Sequence, residues 1–471
     1  MLATLLLLPA VAAAVSWGLP SDRARVALFR AAACVHLGLV LLLWQAAPPP
    51  LAGGWLSLDA PGLLILTLAS LLFAGVSFYL GGYLERAEQR PLRTFVAALL
   101  MLEGAVSLVA SSQHLGLFWV AIETSTLASA PLIFFHHSGR ALEATWKYLI
   151  VSSVGIALAL LGTVFLAVAA TDAAGETTLF LPELLGRALA KPWLHASFVL
   201  LLIGYGTKMG LAPMHAWKPD AYGEAPPPVA GLLAGCVTAV AFLGVMRIAT
   251  ICAHAGEAQF ASSLLILLGL VSMGVAAVFI VGQSDYRRLL AYSSVEHMGI
   301  LVFGLGYGIA GAQGALLHVL SNALAKGVLF LVAGNVLQIY GTSAMGGVTG
   351  LLKRAPFSGA LLLVGLFAAL GLPPFGLFVS EFTILRAALS GGASAWPAAL
   401  YLGFLALIFL GMCAAVLPMA QGEQPAAPAR EALSTTLPPL AFALSVLVLG
   451  VWIPRPIAQV IDAAARQMGG G

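Results

Sequence analysis

Six acidic or basic side chains lie within long apolar segments of the sequence, where a charge is costly. They are Glu103, Glu123, Lys208, Glu296, Lys326 and Glu381. A charged residue at the centre of a membrane helix costs about 2.5 to 3.5 kcal/mol even on a lenient insertion scale. Six such residues are hard to attribute to drift, so each needs a partner on another helix, a hydrated cavity or a role in moving ions.

The segment around Lys326 carries a stripe of polar side chains. His318, Asn322 and Lys326 follow one another at intervals of four residues, which puts them on one face of a helix. Such a row suits a hydrated proton relay, because histidine and buried lysine can both exchange protons. A structural seam of interhelical hydrogen bonds is the alternative. Glu296 and His297 are less definite candidates, since polar groups that only pack near a helix end would look the same.

Glycine and proline interrupt two apolar segments at matching places, in residues 208–213 (KMGLAP) and 369–374 (ALGLPP). Paired broken helices mark ion or substrate sites in transporters, since irregular backbone at membrane depth is tolerated only around a polar cavity. Lys208 lies just before the first break and is the natural partner of Glu123, although Lys208 could snorkel to an interface and Glu123 could be a protonated packing residue. Glu381 follows the second break, where it suits an acceptor near the outer face.

Composition identifies the elements that must hold these residues. Of 471 residues, 61% are hydrophobic and 9% are charged, which excludes a soluble protein, and the dispersed net charge of +3 gives no basic face for nucleic acid. Apolar runs near 20 residues, the length that crosses a bilayer, predict an all-α polytopic membrane protein. About fourteen transmembrane helices are predicted, at 2–19, 28–46, 58–82, 94–110, 114–135, 147–170, 195–214, 227–248, 262–282, 289–308, 312–338, 358–388, 398–419 and 435–453.

Basic residues predict the orientation of these helices. With the N-terminus outside, fourteen of the 22 lysine and arginine residues, Lys218 among them, lie on the cytoplasmic side, and six, including Arg247, lie outside. Both termini are therefore expected outside, in a bacterial cytoplasmic (inner) membrane. The opening apolar run has no basic segment before it, so it is interpreted as a retained helix and not as a cleaved signal peptide.

The two breaks lie five helices apart, an odd number that inverts one copy relative to the other. We therefore expect two inverted five-helix repeats, helices 4–8 and 9–13, with helices 7 and 12 discontinuous. The single membrane domain 1–471 then divides into helices 1–3 (1–90), a first repeat (91–250), a second repeat (261–420), and helix 14 with its tail (421–471).

Motifs of soluble enzymes and of redox centres are missing from the sequence. The four cysteines are widely separated with no CxxC pair, so no cofactor and no metal site are expected. Phosphate-binding loops, dinucleotide fingerprints and nucleophile elbows are also missing, so nothing in the chain supports covalent catalysis. Any enzymatic role would be that of a non-catalytic subunit in an oxidoreductase complex.

Residues from about 90 to 420 resemble the family of antiporter-like subunits shared by respiratory complex I, Mrp-type cation/proton antiporters and membrane-bound group 4 hydrogenases. The motifs that carry the resemblance are 118–123, 208–221, 288–294, 318–326 and 371–382. Within that family, the amino-acid sequence of segments 119–123, 144–148 and 294–299 is most similar to that of component F of hydrogenase-4.

The resemblance implies a proton path from the cytoplasm through Lys208 to the middle of the membrane, then by Lys326 to Glu381, with His318 a further member of the predicted pathway. It also implies that Glu123 holds Lys208 as an ion pair. Other membrane subunits, including a second antiporter-like subunit and small helical subunits, would link the chain to a soluble redox module. Further candidates for the path are Glu103, Lys147, His215, Glu296 and His297.

Two departures from the family pattern bear on this path. Thr238-Ala239 stands where relatives often carry lysine, histidine or asparagine, and Asn322 stands where they often carry histidine. Both remove a titratable group, so the central path here would depend more on water, His318 and Lys326. Two alternatives stay open: an Mrp-type or other complex I-like cation/proton antiporter subunit, and a structural membrane anchor with a vestigial channel.

Overall fold

The computed structural model describes residues 1–46, 48–85, 92–390, 395–422 and 428–469. Within these residues the chain is almost entirely helical, and strand pairing is limited to isolated bridges. The helices are α1 (Leu2–Gly18), α2 (Asp22–Leu43), α3 (Ala60–Leu84), α4 (Arg93–Ser111), α5 (Leu115–Ile133), α6 (Gly139–Ala169), α7 (Leu181–Leu185), α8 (Lys191–Met209), α9 (Trp217–Glu224), α10 (Pro227–Leu232), α11 (Thr238–His254), α12 (Ala258–Ile280), α13 (Tyr286–Leu305), α14 (Gly308–Tyr340), α15 (Leu351–Arg354), α16 (Pro356–Ala369), α17 (Gly376–Ser390), α18 (Trp396–Gln421), α19 (Leu433–Val451) and α20 (Arg455–Arg466).

The architecture confirms an all-α polytopic membrane protein. Among the described residues, ten helices are long and apolar enough to cross a membrane, counting α10, a π-helical turn and α11 as one continuous helix. Each of the fourteen predicted segments is helical, while the number of crossings stays a prediction. The apolar stretches of α14 and of α10–α11 are wholly buried within the chain. Helices α10, α13, α16, α17 and α19 surround α14, which makes it the central helix of the second half.

Loops that were predicted to share one membrane side lie together. Backbone bridges join Leu56 to Ser112 and His114 to Phe180 at one end of the molecule, and Asp285 to Ala344 at the other. These pairings agree with the predicted alternation of helix directions, while the membrane side of each end stays a prediction.

The structure has helical residues where hydropathy predicted a loop or a tail. Helix α6 begins at Gly139, two turns before the predicted residue 147, because a helix can continue beyond the bilayer with polar side chains. The predicted tail after helix 14 contains α20, a strongly amphipathic helix that packs against α14 and α3. Hydropathy detects the length of an apolar run and not the polar turns that extend it.

The two predicted breaks are present and share one geometry. Gly210 directly follows α8 and Gly371 follows α16 after Leu370, and both glycines lie in the left-handed region, at φ 81° and 61°. The next residue donates its N–H five residues back, from Leu211 to Gly206 O at 2.8 Å and from Leu372 to Phe367 O at 3.1 Å. This is the Schellman termination, which favours glycine at the left-handed position.

Candidate functional site

Lys208 lies at the end of α8, before the first break, and is completely buried. Its Nζ donates to Thr126 Oγ1 at 2.8 Å and to the Tyr148 hydroxyl at 2.6 Å. The Tyr148 hydroxyl in turn lies 2.5 Å from Ser129 Oγ. A buried amine thus begins a chain of hydroxyl groups that runs between α5, α6 and α8.

The expected ion pair between Glu123 and Lys208 is wrong for this conformation. No ion pair within 4 Å involves either residue in the described part of the chain, and Glu123 Oε1 instead accepts from Ser153 at 3.4 Å. The second oxygen of Glu123 is buried without a hydrogen-bond partner. Glu123 still lies within electrostatic range of Lys208, because both face the junction of α5, α6 and α8. Thr126 and Tyr148, one helical turn further along, occupy the donor directions of the amine.

Lys218 was predicted in a cytoplasmic loop, and the structure corrects this. Helix α9 folds back into the break, so Lys218 is completely buried and its Nζ donates to Met209 O at 2.8 Å. The neighbouring Trp217 Nε1 donates to Thr207 O at 2.9 Å. Both donors bond to carbonyl groups of the last turn of α8, where a positive charge is also favoured. Lys218 lies near enough to Lys326 for the two positive charges to repel each other.

Arg247 was predicted in an outer loop but is also buried, at 3% exposure on α11. It donates to Ser112 O and pairs with Asp59 at 3.3 Å. A lysine or arginine next to an apolar run can thus be inside the protein, which the count of basic residues does not register.

Lys326 lies at the middle of α14 and is completely buried. Its Nζ donates to Ser293 Oγ at 2.8 Å, and Ser293 Oγ lies 3.4 Å from Glu296 Oε2. Glu296 and His297 occupy the middle of α13 at 2% and 0% exposure, so the alternative that they pack near a helix end is wrong. Within the described residues Asn322 Oδ1 and Ser321 Oγ are buried without partners, and they extend the predicted polar stripe.

His297 and His318 form a buried pair with an assignable direction. Ser380 Oγ donates to Leu377 O at 2.7 Å and therefore accepts from His318 Nδ1 at 2.9 Å, because a hydroxyl has one hydrogen. The neutral His318 ring then has its lone pair on Nε2, which accepts from His297 Nδ1 at 3.1 Å. This leaves a lone pair on His297 Nε2, a buried atom with no partner in the described residues. The pair can accept a proton at one end and pass it to the other.

Glu381 follows the second break on α17 and is 8% exposed. One ligand-type atom from each of His297, His318 and Glu381 lies within 4.8 Å of the others. Glu381 also lies near enough to Glu296 for the two carboxylates to interact electrostatically. Its carboxylate packs directly against Gly371, where an added Cβ would overlap it.

Replacing Gly371 with alanine should destabilise the protein by about 1–3 kcal/mol, the usual cost of forcing a residue with a Cβ into an unfavourable backbone region. The Cβ would also displace the Glu381 carboxylate, so proton flux should fall as well. Thermal unfolding and flux of the purified assembly measure the two effects. Gly403→Ala is the matched control, because a Cβ at Gly403 meets nothing within 4 Å. Equal stability and flux in the two variants would contradict this prediction.

Glu103 lies apart from the residues above. It is buried on α4 with Oε1 3.6 Å from His36 Nδ1, and His36 also contacts Ser70 and Ser107 at 2.9 and 3.0 Å. Both Glu103 oxygens lack a hydrogen-bond partner in the described residues. No hydrogen bond or ion pair between described residues joins Glu103 to Lys208 or Glu123, so its membership of a proton path stays a prediction.

Lys147 and His215 lie at the rim of the site. Lys147 is half-exposed and pairs with Glu143 at 2.7 Å and with Asp220 at 2.9 Å, and Asp220 also pairs with Arg288 at 2.7 Å. These side chains line a cleft of about 850 Å³, called here the polar cleft, which α9 lines with Asp220, Gly223 and Glu224. His215 is half-buried in the first break, beside the stacked rings of Phe279 and Tyr292.

Sequence reasoning missed the neutral groups that join the charged ones. Tyr148 stands in the 144–148 motif, and Ser293 stands in the 288–294 motif, so both were within quoted segments but had no assigned role. Ser380 directly precedes Glu381. A hydroxyl directly next to a membrane charge is a signal that could have found Ser380.

Comparisons with known proteins agree with this architecture. A family model described as NADH:quinone oxidoreductase/Mrp antiporter, TM, matches residues 112–409. The hydrogenase-4 component F homolog of Methylacidiphilum infernorum is 33% identical over 434 residues, with 90% of each chain covered.

Two solved structures share the fold. A chain of respiratory complex I from Thermus thermophilus is 27% identical, with a TM-score of 0.80 that covers 96% of this chain and 97% of that chain. A chain of the membrane-bound sulfane sulfur reductase, an archaeal respiratory membrane complex, has a TM-score of 0.90 over 99% of this chain and 97% of its own. Its identity of 21% shows a common fold alone.

Proposed function

The chain belongs to the NADH:quinone oxidoreductase/Mrp antiporter transmembrane family, and we propose that it is the proton-translocating subunit of a multi-subunit membrane redox complex of the hydrogenase-4 type. The observation that carries the proposal is the state of three buried lysines. Lys208, Lys218 and Lys326 donate only to neutral oxygen atoms, and none has an ion pair within 4 Å in the described residues. A lysine, unlike an arginine, can lose its proton inside a protein.

The proposed path starts at the polar cleft. Protons reach Lys208 and Lys218 at the first break, and electrostatic range links Lys218 to Lys326 and to His297. From Lys326 the path follows Ser293 and Glu296, and then the pair of His297 and His318, to Glu381. Side chains without a direct contact would be joined by water, for which the partnerless buried atoms supply hydrogen-bonding positions.

The pair of His297 and His318 would transfer the proton from one imidazole ring to the other. A proton that binds His297 Nε2 releases the Nδ1 proton towards His318 Nε2, and His318 then passes its own Nδ1 proton on. Both rings are neutral again once each proton has moved, and reorientation of both rings restores the starting tautomers. Glu381, within 4.8 Å of both rings, is the acceptor.

The setting of the chain is part of the same proposal. The chain would lie in a bacterial cytoplasmic membrane with both termini outside, and would divide at the predicted repeat boundaries. A second antiporter-like subunit and small helical subunits would connect it to a soluble redox module. The hydrogenase-4 name of a relative at 33% identity over 90% of each chain supports this choice of complex.

Membrane vesicles that contain the assembly test the proposal. Redox turnover is driven while the internal pH is recorded in sodium-free buffer and in buffer with sodium. We expect a pH gradient that forms without sodium and collapses with a protonophore. A gradient that requires sodium would favour the Mrp-type alternative, whereas normal redox turnover without any gradient would indicate a structural anchor.

A further inference from the structure

We propose that His297, His318 and Glu381 form a binding site for a divalent transition-metal ion, with Zn²⁺ as the preferred ligand, and that the bound ion blocks the proton path. These three residues are called here the outer cluster. One ligand atom from each lies within 4.8 Å of the others, and the side chains come from α13, α14 and α17. The blocking effect rests on the proposed function, whereas the binding does not.

The donor set selects the class of metal. Two imidazole nitrogens and one carboxylate oxygen are ligands of zinc, whereas Na⁺, Mg²⁺ and Ca²⁺ prefer oxygen alone. Zinc bound by three protein side chains keeps a fourth position for water. Both histidines are completely buried and Glu381 is 8% exposed, so the donors converge inside the protein instead of meeting by chance at its surface.

The distance between the two facing nitrogens is close to that in such a site, and each ring must turn so that its lone pair points at the ion instead of at the other nitrogen. Metal–ligand bonds of about 2.0 to 2.1 Å in tetrahedral geometry put two donor atoms about 3.3 Å apart. His297 Nδ1 and His318 Nε2 are 3.1 Å apart. A Glu381 carboxylate oxygen lies within 4.8 Å of one ring nitrogen of each histidine, so a rotation of its side chain completes the set.

Protons balance without a further reactant. The hydrogen on His297 Nδ1 moves to His297 Nε2, which has no partner in the described residues. His297 Nδ1 and His318 Nε2 then each have a lone pair for the metal. His318 keeps its Nδ1 hydrogen, which Ser380 accepts at 2.9 Å. An outer partner of this kind fixes the tautomer of a metal-binding histidine. With both inward nitrogens occupied by the metal, the pair can no longer exchange a proton.

Metal retention by the purified assembly tests the binding. The assembly is dialysed to equilibrium against buffered Zn²⁺, and bound zinc is measured by mass spectrometry. We expect one tightly held equivalent in the wild type, its loss in both His318→Gln and Glu381→Gln, and about tenfold weaker binding in Ser380→Ala, which removes only the outer partner. Co²⁺ in place of Zn²⁺ should give the visible absorption of a site with nitrogen ligands. Elution of each variant as an intact assembly excludes a folding defect.

Two controls separate this site from other histidines. His36→Gln removes a buried imidazole that contacts serines, and His195→Gln removes a half-exposed imidazole that lies 2.8 Å from Glu257. Both control variants should still bind one equivalent of Zn²⁺, as the wild type does. Equal zinc binding in the wild type, His318→Gln and Glu381→Gln would overturn the proposal, as would a wild type that binds none.

Proton flux in vesicles tests the blocking effect separately. Zn²⁺ at the concentration that fills the site should stop flux in the wild type, and a chelator should restore it. Zinc that binds with the expected variant pattern but leaves flux unchanged would support the metal site and count against the proton path through the outer cluster. The two ideas therefore fail by different results.

Discussion

Replacing Lys208 with alanine is expected to lower proton translocation roughly a hundredfold, the lower range of what a positioned proton-transfer group contributes. Among the described side chains that hydrogen-bond to one another here, the amine is the basic group that can take up and release a proton, because its partners Thr126 and Tyr148 are hydroxyls. If translocation and electron transfer are coupled, the redox rate falls with the flux.

The fold should tolerate this change. Removing one member of a buried ion pair is strongly destabilising, but Lys208 has no such pair within 4 Å in the described residues. Dye-monitored flux and the redox rate are recorded on the same vesicles. Lys353→Ala, at an exposed lysine of α15, is the matched control and should keep both rates. Wild-type flux in Lys208→Ala would show that Lys208 is structural.

Replacing Glu381 with glutamine is expected to reduce flux by a similar factor, roughly a hundredfold. Glutamine keeps the shape of the side chain against Gly371 but cannot bind and release a proton. The assembly should therefore remain intact while protons stop at His318. Because the substitution removes an acid and not a contact, a loss of flux identifies titration as the role of Glu381.

The same vesicle measurement checks this variant. Glu183→Gln, at an exposed glutamate of α7, serves as its control because it removes one carboxylate outside the path. Flux in Glu381→Gln equal to that of the control would place the final acceptor elsewhere. Thermal stability of the assembly, measured in parallel, should match the wild type.

The sequence was sufficient where one helix carried the information. The four-residue spacing of His318, Asn322 and Lys326 follows from helix geometry, and all three are buried on α14. The two breaks were also predictable, because glycine and proline determine local backbone conformation without reference to the rest of the fold.

The sequence was insufficient where partners come from different helices. Pairing Glu123 with Lys208 follows from charge alone, whereas the structure gives the amine to Thr126 and Tyr148. Burial of Lys218 depends on α9 folding back into the break, and hydropathy cannot distinguish that arrangement from a loop. Neutral hydroxyls such as Ser380 acquire a role only from what packs against them.

Family resemblance supplied what local patterns could not. It predicted the order Lys208, Lys326 and Glu381, and the structure brings His318 and Glu381 into one buried cluster with His297. Glu103 remains outside that arrangement, beside His36.

Substitution of Lys326 by arginine tests the central claim most directly, because arginine keeps the positive charge but does not release a proton inside a protein. Flux and redox rate are compared in the wild type, Lys326→Arg and Lys326→Ala. We predict that flux is lost to the same extent in both variants, since the lysine must titrate. Flux restored by arginine, but not by alanine, would show that only the charge matters and would contradict a proton relay through Lys326.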